Sequence, residues 1–368
     1  MIQRVTMRQV ATRAGVHSTT VSLALRNHPS LPVETRERLQ ALAKEMGYRP
    51  DPMLGALMHY RSLRHPAVSP PLIFYMNPWR GDRKRWRIEV AHYQFYAGAM
   101  KRANELGFVF EHCWLYDPGM TTARWNQIIH TRNVRGVILG SFNKGRGHTR
   151  LKLDGVSWVR MDSYYVEPEV HKVAHNQAQC AQLAVRRAHK HGYRKIGFVM
   201  WKRWDEATDR MWSSGYLGES ASYPTECQIP PCIFSHEKPE IFWEWFKRYS
   251  PDVVLGFVNF LWWMRRKGVR VPEDVGFIDL DVIKPNGARA GIYENHELAG
   301  GIAVDVIASM IQRNETGLPA WPVVTHVNAR WVDGATLPYR LPYKSIPKKS
   351  VSKGLKPPAR TKQAEKTV

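Results

Sequence analysis

Along the first fifty residues the apolar side chains recur at helical spacing in three short stretches. Met7, Val10, Ala11 and Ala14 stand at i, i+3, i+4 and i+7, and Thr6, three residues before Gln9, has the spacing of a capping box that starts a helix there. Gly15 follows, able to take the left-handed conformation of a tight turn, with Val16 placed to plug the angle between helices. A second helix is expected from near Ser18, with Val21, Ala24 and Leu25 inward and Ser18, Thr19, Ser22 and Leu23 outward. A third, over about 33–46, buries Leu39, Leu42, Ala43 and Met46. Three helices on one small core, the first two joined by a short turn, predict an all-α helix-turn-helix domain over 1–50.

Downstream, Asp51 is a good N-cap, Pro52 suits a first helical turn, and Leu54, Leu57 and Met58 align on one face of a short helix over 51–62. Such a helix is too short to stand alone in water, so it needs company. Residues 63–70 read as a linker, because Pro66, Pro70 and Pro71 remove helix donors and hold the backbone extended. Beyond it the period changes. LIFYM (72–76), FVFEHCWL (108–115), GVILGS (136–141), VSWVRMD (156–162), KIGFVM (195–200), DVVLGF (252–257) and DVGFIDL (274–280) read as strands, with helices near 86–106, 121–132, 176–190 and 296–313. This alternation predicts parallel sheets covered by helices, and the number of βα units exceeds one compact sheet. The core, 71–342, is therefore expected as two α/β lobes: one from about 71–165 and 292–320, the other from about 166–288 and 321–340.

Charge sharpens this picture. Lys and Arg number 54 against 32 Asp and Glu, a net +22, and the two ends are densest: +6 over 1–70 and +7 over 343–368. The last stretch is rich in Lys, Pro and Ser with little to bury, and reads as a disordered basic tail, either simply solvated or an extra arm for phosphates. No stretch has the roughly 18 apolar residues of a membrane span, and the N-terminus lacks a signal-peptide run, so a cytoplasmic chain with no membrane partner is expected. Four cysteines, Cys113, Cys180, Cys227 and Cys232, make no disulfide framework. Cys227, Cys232 and His236 loosely follow metal-ligand spacing but bring no fourth ligand, so no metal and no cofactor are assigned.

The outer face of the second helix carries the candidate chemistry. It is short-chained and hydroxyl-rich, so a DNA backbone can approach it closely. Ser18 and Thr19 then hydrogen-bond base edges and Leu23 packs on a thymine methyl. Thr6, Thr20, Ser22, Arg26 and Arg36 suit phosphate oxygens, which fix register without reading sequence. The same pattern also fits a small helical bundle whose hydroxyls merely face water.

VTMRQVATRAGVHSTTVSLAL, continued by ETRERLQALAKEMGYRPD, closely resembles the DNA-binding signature of the lactose-repressor (LacI/GalR) family of bacterial regulators. The clearest departure is His17, where that family usually places a capping serine. HNQAQCAQLAVRRAHKHGYRKIGFV (175–199), GVRVPEDVGFIDLD (268–281) and ELAGGIAVDVIASMI (297–311) resemble, more loosely, the family's two-lobed periplasmic-binding-protein-like core. The resemblance implies a homodimer on a double-stranded operator, with paired hinge helices that wedge Leu57, flanked by Leu54, into the minor groove. It also implies a small-molecule effector, commonly a carbohydrate, between the lobes, with Asp162, Arg210, Trp212, Asn259 and Asp279 as candidate contacts. Trp212 stands where the family often has an arginine, and Ile278, beside Asp279, where it often has an aspartate. Trp79, Trp201 and Trp204 are further candidates to stack on a sugar ring, though core packing is the first reading of each. Two rivals, a plain sugar receptor and an enzyme on the α/β core, would need an export signal or a converging catalytic cluster, and neither is visible in the sequence.

Overall fold

The computed structural model describes residues 5–25, 30–48, 70–88, 90–142, 147–162, 166–235 and 238–340. At the N-terminus, α1 (Met7–Ala14), α2 (Ser18–Leu25) and α3 (Val33–Glu45) pack together. The capping box forms as its spacing predicts. The Gln9 backbone N–H donates to Thr6 Oγ1 at 3.3 Å, and the Thr6 N–H donates back to Gln9 Oε1 at 2.7 Å. Gly15, at φ 67°, ends α1 in the left-handed region. Val10, Ala11, Val21, Ala24, Leu39 and Ala43 form the core, while Leu25, Leu42 and Met46, expected inside, are half-buried at its rim. Gln40 of α3 donates to the carbonyl of Ala24 at 2.8 Å, tying α3 to the last turn of α2.

The core has two six-stranded sheets. In lobe one the strands run, in spatial order, Val324–Val327, His171–His175, Ser157–Met161, Val134–Leu139, Leu72–Asn77 and Val109–Trp114, all parallel. Lobe two runs Arg330–Val332, Gly291–Tyr293, Gly276–Asp279, Val253–Gly256, Ile196–Trp201 and Cys232–Phe234, parallel except for the first pair. Both faces of these sheets are covered, so strands such as Leu72–Asn77 are buried at every position.

The lobe boundaries read from the sequence need correction. His171–His175 and Val324–Val327 belong to the sheet of lobe one, not lobe two, and Gly291–Tyr293 belongs to lobe two. Short strands at a sheet's margin carry too few apolar positions to announce which sheet they join. The chain therefore crosses between lobes three times: after His175, between Tyr293 and His296, and between Val327 and Arg330.

The second crossing enters the helix His296–Arg313, which packs on the helix Val90–Glu105. Here glycine is required by space. A Cβ on Gly98 would lie 1.9 Å from the carbonyl oxygen of Glu297, and one on Gly300 would lie 2.0 Å from that of Phe95. The two helices thus meet backbone to backbone, which sets the first turn of His296–Arg313 directly against Phe95.

Candidate nucleic-acid interface and interlobe cleft

On α2, Thr19 is exposed and Ser18, Thr20, Ser22 and Leu23 are partly exposed, while Val21 and Ala24 point into the core. Leu23, expected to stand open, is half-buried. Thr6 is exposed at the start of α1, and Arg36 is partly exposed on α3. Arg26, Leu54, Leu57 and the basic tail lie outside the described residues. His17, at the position where the resembled family usually has a capping serine, does make a cap. Its Nδ1 accepts the Thr19 backbone N–H at 3.3 Å and lies 2.8 Å from Thr19 Oγ1, while its carbonyl accepts from Thr20 and Val21. An imidazole nitrogen takes the place of the usual side-chain oxygen.

A cleft of about 260 Å³ opens between the lobes, at the small end of small-molecule sites. Lobe one lines it with Trp79, Phe95 and Asp162, and lobe two with Arg203, Trp204, Trp212 and Phe257. Trp204 meets Phe257 edge-on at 4.8 Å, so the lobe-two wall is aromatic. The crossings and their surroundings add His175, Gln177, Asp281, Glu294 and His296. His296 Nε2 pairs with Asp281 Oδ1 at 3.0 Å. Burial alone would hold His296 neutral, but the Asp281 carboxylate, helped by Glu294, carries its pKa up to about 9. In turn, burial opposes ionisation of Asp281, yet the His296 imidazolium overcomes it and holds Asp281 below the usual carboxylate range. Burial, then the nearby Asp281 charge, pushes Glu294 up to about 8, and burial, then His296, pushes His175 down to about 4.

Residues 6–51 match the family described as bacterial regulatory proteins, lacI family. The N-terminal domain belongs to that family. Over 139 residues the chain is 30% identical to the HTH-type transcriptional regulator DegA of Bacillus subtilis, an alignment covering 38% of this chain and 36% of that protein. The chain spans between about a third and about half the length of the curated relatives it matches. In three dimensions it is similar to a transcriptional regulator CelR–cellobiose complex, with a TM-score of 0.52 at 18% identity, covering 90% of this chain and 100% of that one. It is also similar to the lac repressor dimer bound to operator and the anti-inducer ONPF, with a TM-score of 0.52 at 17% identity, covering 91% of this chain and 100% of that one. At such identities the likeness establishes the fold, a helix-turn-helix domain followed by a two-lobed, periplasmic-binding-protein-like core.

Within this two-lobed core the five candidate contacts separate. Asp162 and Trp212 line the cleft, whereas Arg210, Asn259 and Asp279 do not. Asp279 is fully buried and its Oδ2 accepts from Arg289 Nε at 2.6 Å, which makes it part of the sheet's interior. Arg210 is exposed in a left-handed turn ahead of the helix Met211–Ser220. With its amide set to suit its neighbours, Asn259 accepts from the Trp201 indole at 2.9 Å and donates to Phe257, so both groups serve packing. Of the tryptophans considered for stacking, Trp79 and Trp204 line the cleft and Trp201 does not. The sequence reading missed His175, Asp281, Glu294 and His296. The only local signal was an acid and a histidine, two residues apart, at the start of a helix.

Proposed function

We propose that this chain is a sequence-specific DNA-binding transcription regulator, acting as a cytoplasmic homodimer, whose grip on a double-stranded operator is set by a small molecule held between its lobes. The observation that carries it is the lacI-family match over residues 6–51 together with the open hydroxyl face of α2. In this reading α2 lies in the major groove, Ser18, Thr19 and Leu23 meet base edges, and Thr6, Thr20, Ser22, Arg26 and Arg36 hold phosphates. Two copies set their recognition helices about one DNA turn, roughly 34–36 Å, apart, and Leu57 with Leu54 opens the minor groove between them. Repression is the expected output.

A carbohydrate suits the cleft. Trp79, Trp204 and Phe257 offer aromatic surface to the apolar side of a sugar ring, while Asp162, Asp281 and Arg203 offer charged partners to hydroxyls. Ligand contacts to both lobes favour one interlobe angle, and that angle is the means by which binding reaches the DNA-reading end. In-vitro selection of duplexes on the full-length protein tests the regulator reading, with two related half-sites in symmetric array as the expected product. Selection that enriches no sequence, even at low ionic strength, refutes it. A thermal-shift screen of sugars tests the ligand class.

A further inference from the structure

His175 ends a strand of lobe one where the chain leaves for lobe two, and Glu294 and His296 lie on the crossing that returns. One donor atom from each of the three lies within 4.8 Å of the others. All three are buried, with 2%, 6% and 5% of their surface exposed. Buried polar atoms normally have partners, because losing water without replacement costs free energy. Yet among the described residues His175 Nε2 and His296 Nδ1 have no hydrogen-bond partner. The Glu294 carboxyl meets the Cys180 thiol, a weak donor, at 3.6 Å.

We propose that His175, Glu294 and His296 form a binding site for a divalent transition-metal ion, Zn²⁺ being the reference case, at the buried end of the cleft. Two imidazoles and a carboxylate are the donor set of such ions rather than of Mg²⁺ or Ca²⁺, which prefer oxygen alone. Three protein ligands leave a coordination position open, and the cleft is where an oxygen of an entering molecule reaches it. Asp281 supplies the outer support. Its carboxylate holds His296 through Nε2, fixing the ring and strengthening Nδ1 as a donor, an arrangement common around metal-bound histidines. Because the three ligands come from two crossings, a bound ion ties those crossings together and restricts the interlobe angle. The inference rests on the cleft being the effector site, and it makes a metal, or a metal with an oxygen-bearing ligand, the molecule that is sensed.

The test uses full-length protein stripped with chelator and titrated with Zn²⁺ by calorimetry, then with Co²⁺ followed by visible absorption. One equivalent is expected to bind with imidazole-type Co²⁺ bands. Glu294→Gln, which keeps the shape of the side chain, should weaken it at least tenfold, and Asp281→Asn by about 10–100-fold. The double variant His175→Gln/His296→Gln should lose the bands while its circular dichroism remains native. The chain has 15 histidines, so weak surface binding is a real alternative and would be indifferent to these changes. Absence of a stoichiometric site, or a site unaltered in Glu294→Gln and the double variant, overturns the proposal. Zn²⁺ binding lost while duplex selection succeeds overturns the metal site alone. Zn²⁺ binding intact while selection fails supports the site and removes the regulator reading.

Discussion

At the scale of single residues, the start of α2 depends on one imidazole. His17 Nδ1 accepts the Thr19 N–H, so His17→Ala leaves an N-terminal donor of α2 without its cap. The expected cost is about 0.5–2 kcal/mol of stability in the N-terminal domain, recovered by His17→Ser, and urea unfolding followed by helicity measures it. If Ala were as stable as His, the contact would be incidental. The same geometry constrains Thr19. With Nδ1 acting as acceptor, the Thr19 hydroxyl spends its proton on His17 at 2.8 Å and, in the proposed docking, shows the groove only lone pairs. It then favours bases that present an amino group there, adenine or cytosine. Thr19→Ala should lower discrimination at one base pair by about 1–3 kcal/mol, read from binding to single-substitution duplexes. A uniform loss across all duplexes would instead make Thr19 a phosphate contact.

At the scale of elements, the close contact between Val90–Glu105 and His296–Arg313 is made possible by two glycines that no periodicity could flag. Gly300→Ala puts a methyl group 2.0 Å from the Phe95 carbonyl oxygen, and backbone cannot rotate aside as a side chain does. The expected loss is about 1–3 kcal/mol or more, seen as a lower urea midpoint, whereas Gly301→Ala, with no neighbour nearer than 3.6 Å, should cost far less. Equal midpoints for the two variants would contradict the close crossing. Longer elements were legible in sequence, Leu72–Asn77 as a continuous apolar run and His296–Arg313 because its helical period repeats several times. Cys232–Phe234, Gly291–Tyr293 and Arg330–Val332 were not, since three residues hold no period and their pairing is decided by distant partners. The cleft residues were hidden for the same reason. His175 and Glu294 are far apart in the chain, and only the crossings bring them together.

The strand Val109–Trp114 adds a pH dependence. His112 packs against Trp86, Trp114 and Tyr96 with ring centroids 4.8–4.9 Å away, and its Nε2 lies 3.1 Å from the Asn77 amide nitrogen. Burial, then the charges of Arg83 and Arg87, pushes its pKa down to about 4. In the unfolded chain a histidine titrates near 6.5, so on acidification the unfolded state takes up the proton first. This contribution to stability is complete above about pH 6.5 and is lost as pH falls from there through about 4. His112→Gln, which keeps a polar partner for Asn77, should flatten the decline of Tm across that window. An unchanged slope would assign the decline to other groups.

At the scale of the whole molecule, charge and architecture divide the work. The core carries the cleft and three crossings, while 13 of the 22 excess positive charges lie in residues 1–70 and 343–368, outside it. Phosphate binding releases counterions, so log affinity falls with log salt at a slope of about −0.9 per phosphate neutralised. If the C-terminal lysines add contacts to those of the N-terminal domain, deleting 344–368 should make that slope shallower and weaken all duplexes alike. Preference among sequences should stay where it was, because a Lys- and Pro-rich arm holds phosphates and has no fixed geometry for base edges. Competition binding at several salt concentrations separates the two effects. An unaltered slope would mean that the tail's charge never reaches the duplex, and that the recognition domain alone sets the electrostatic part of the affinity.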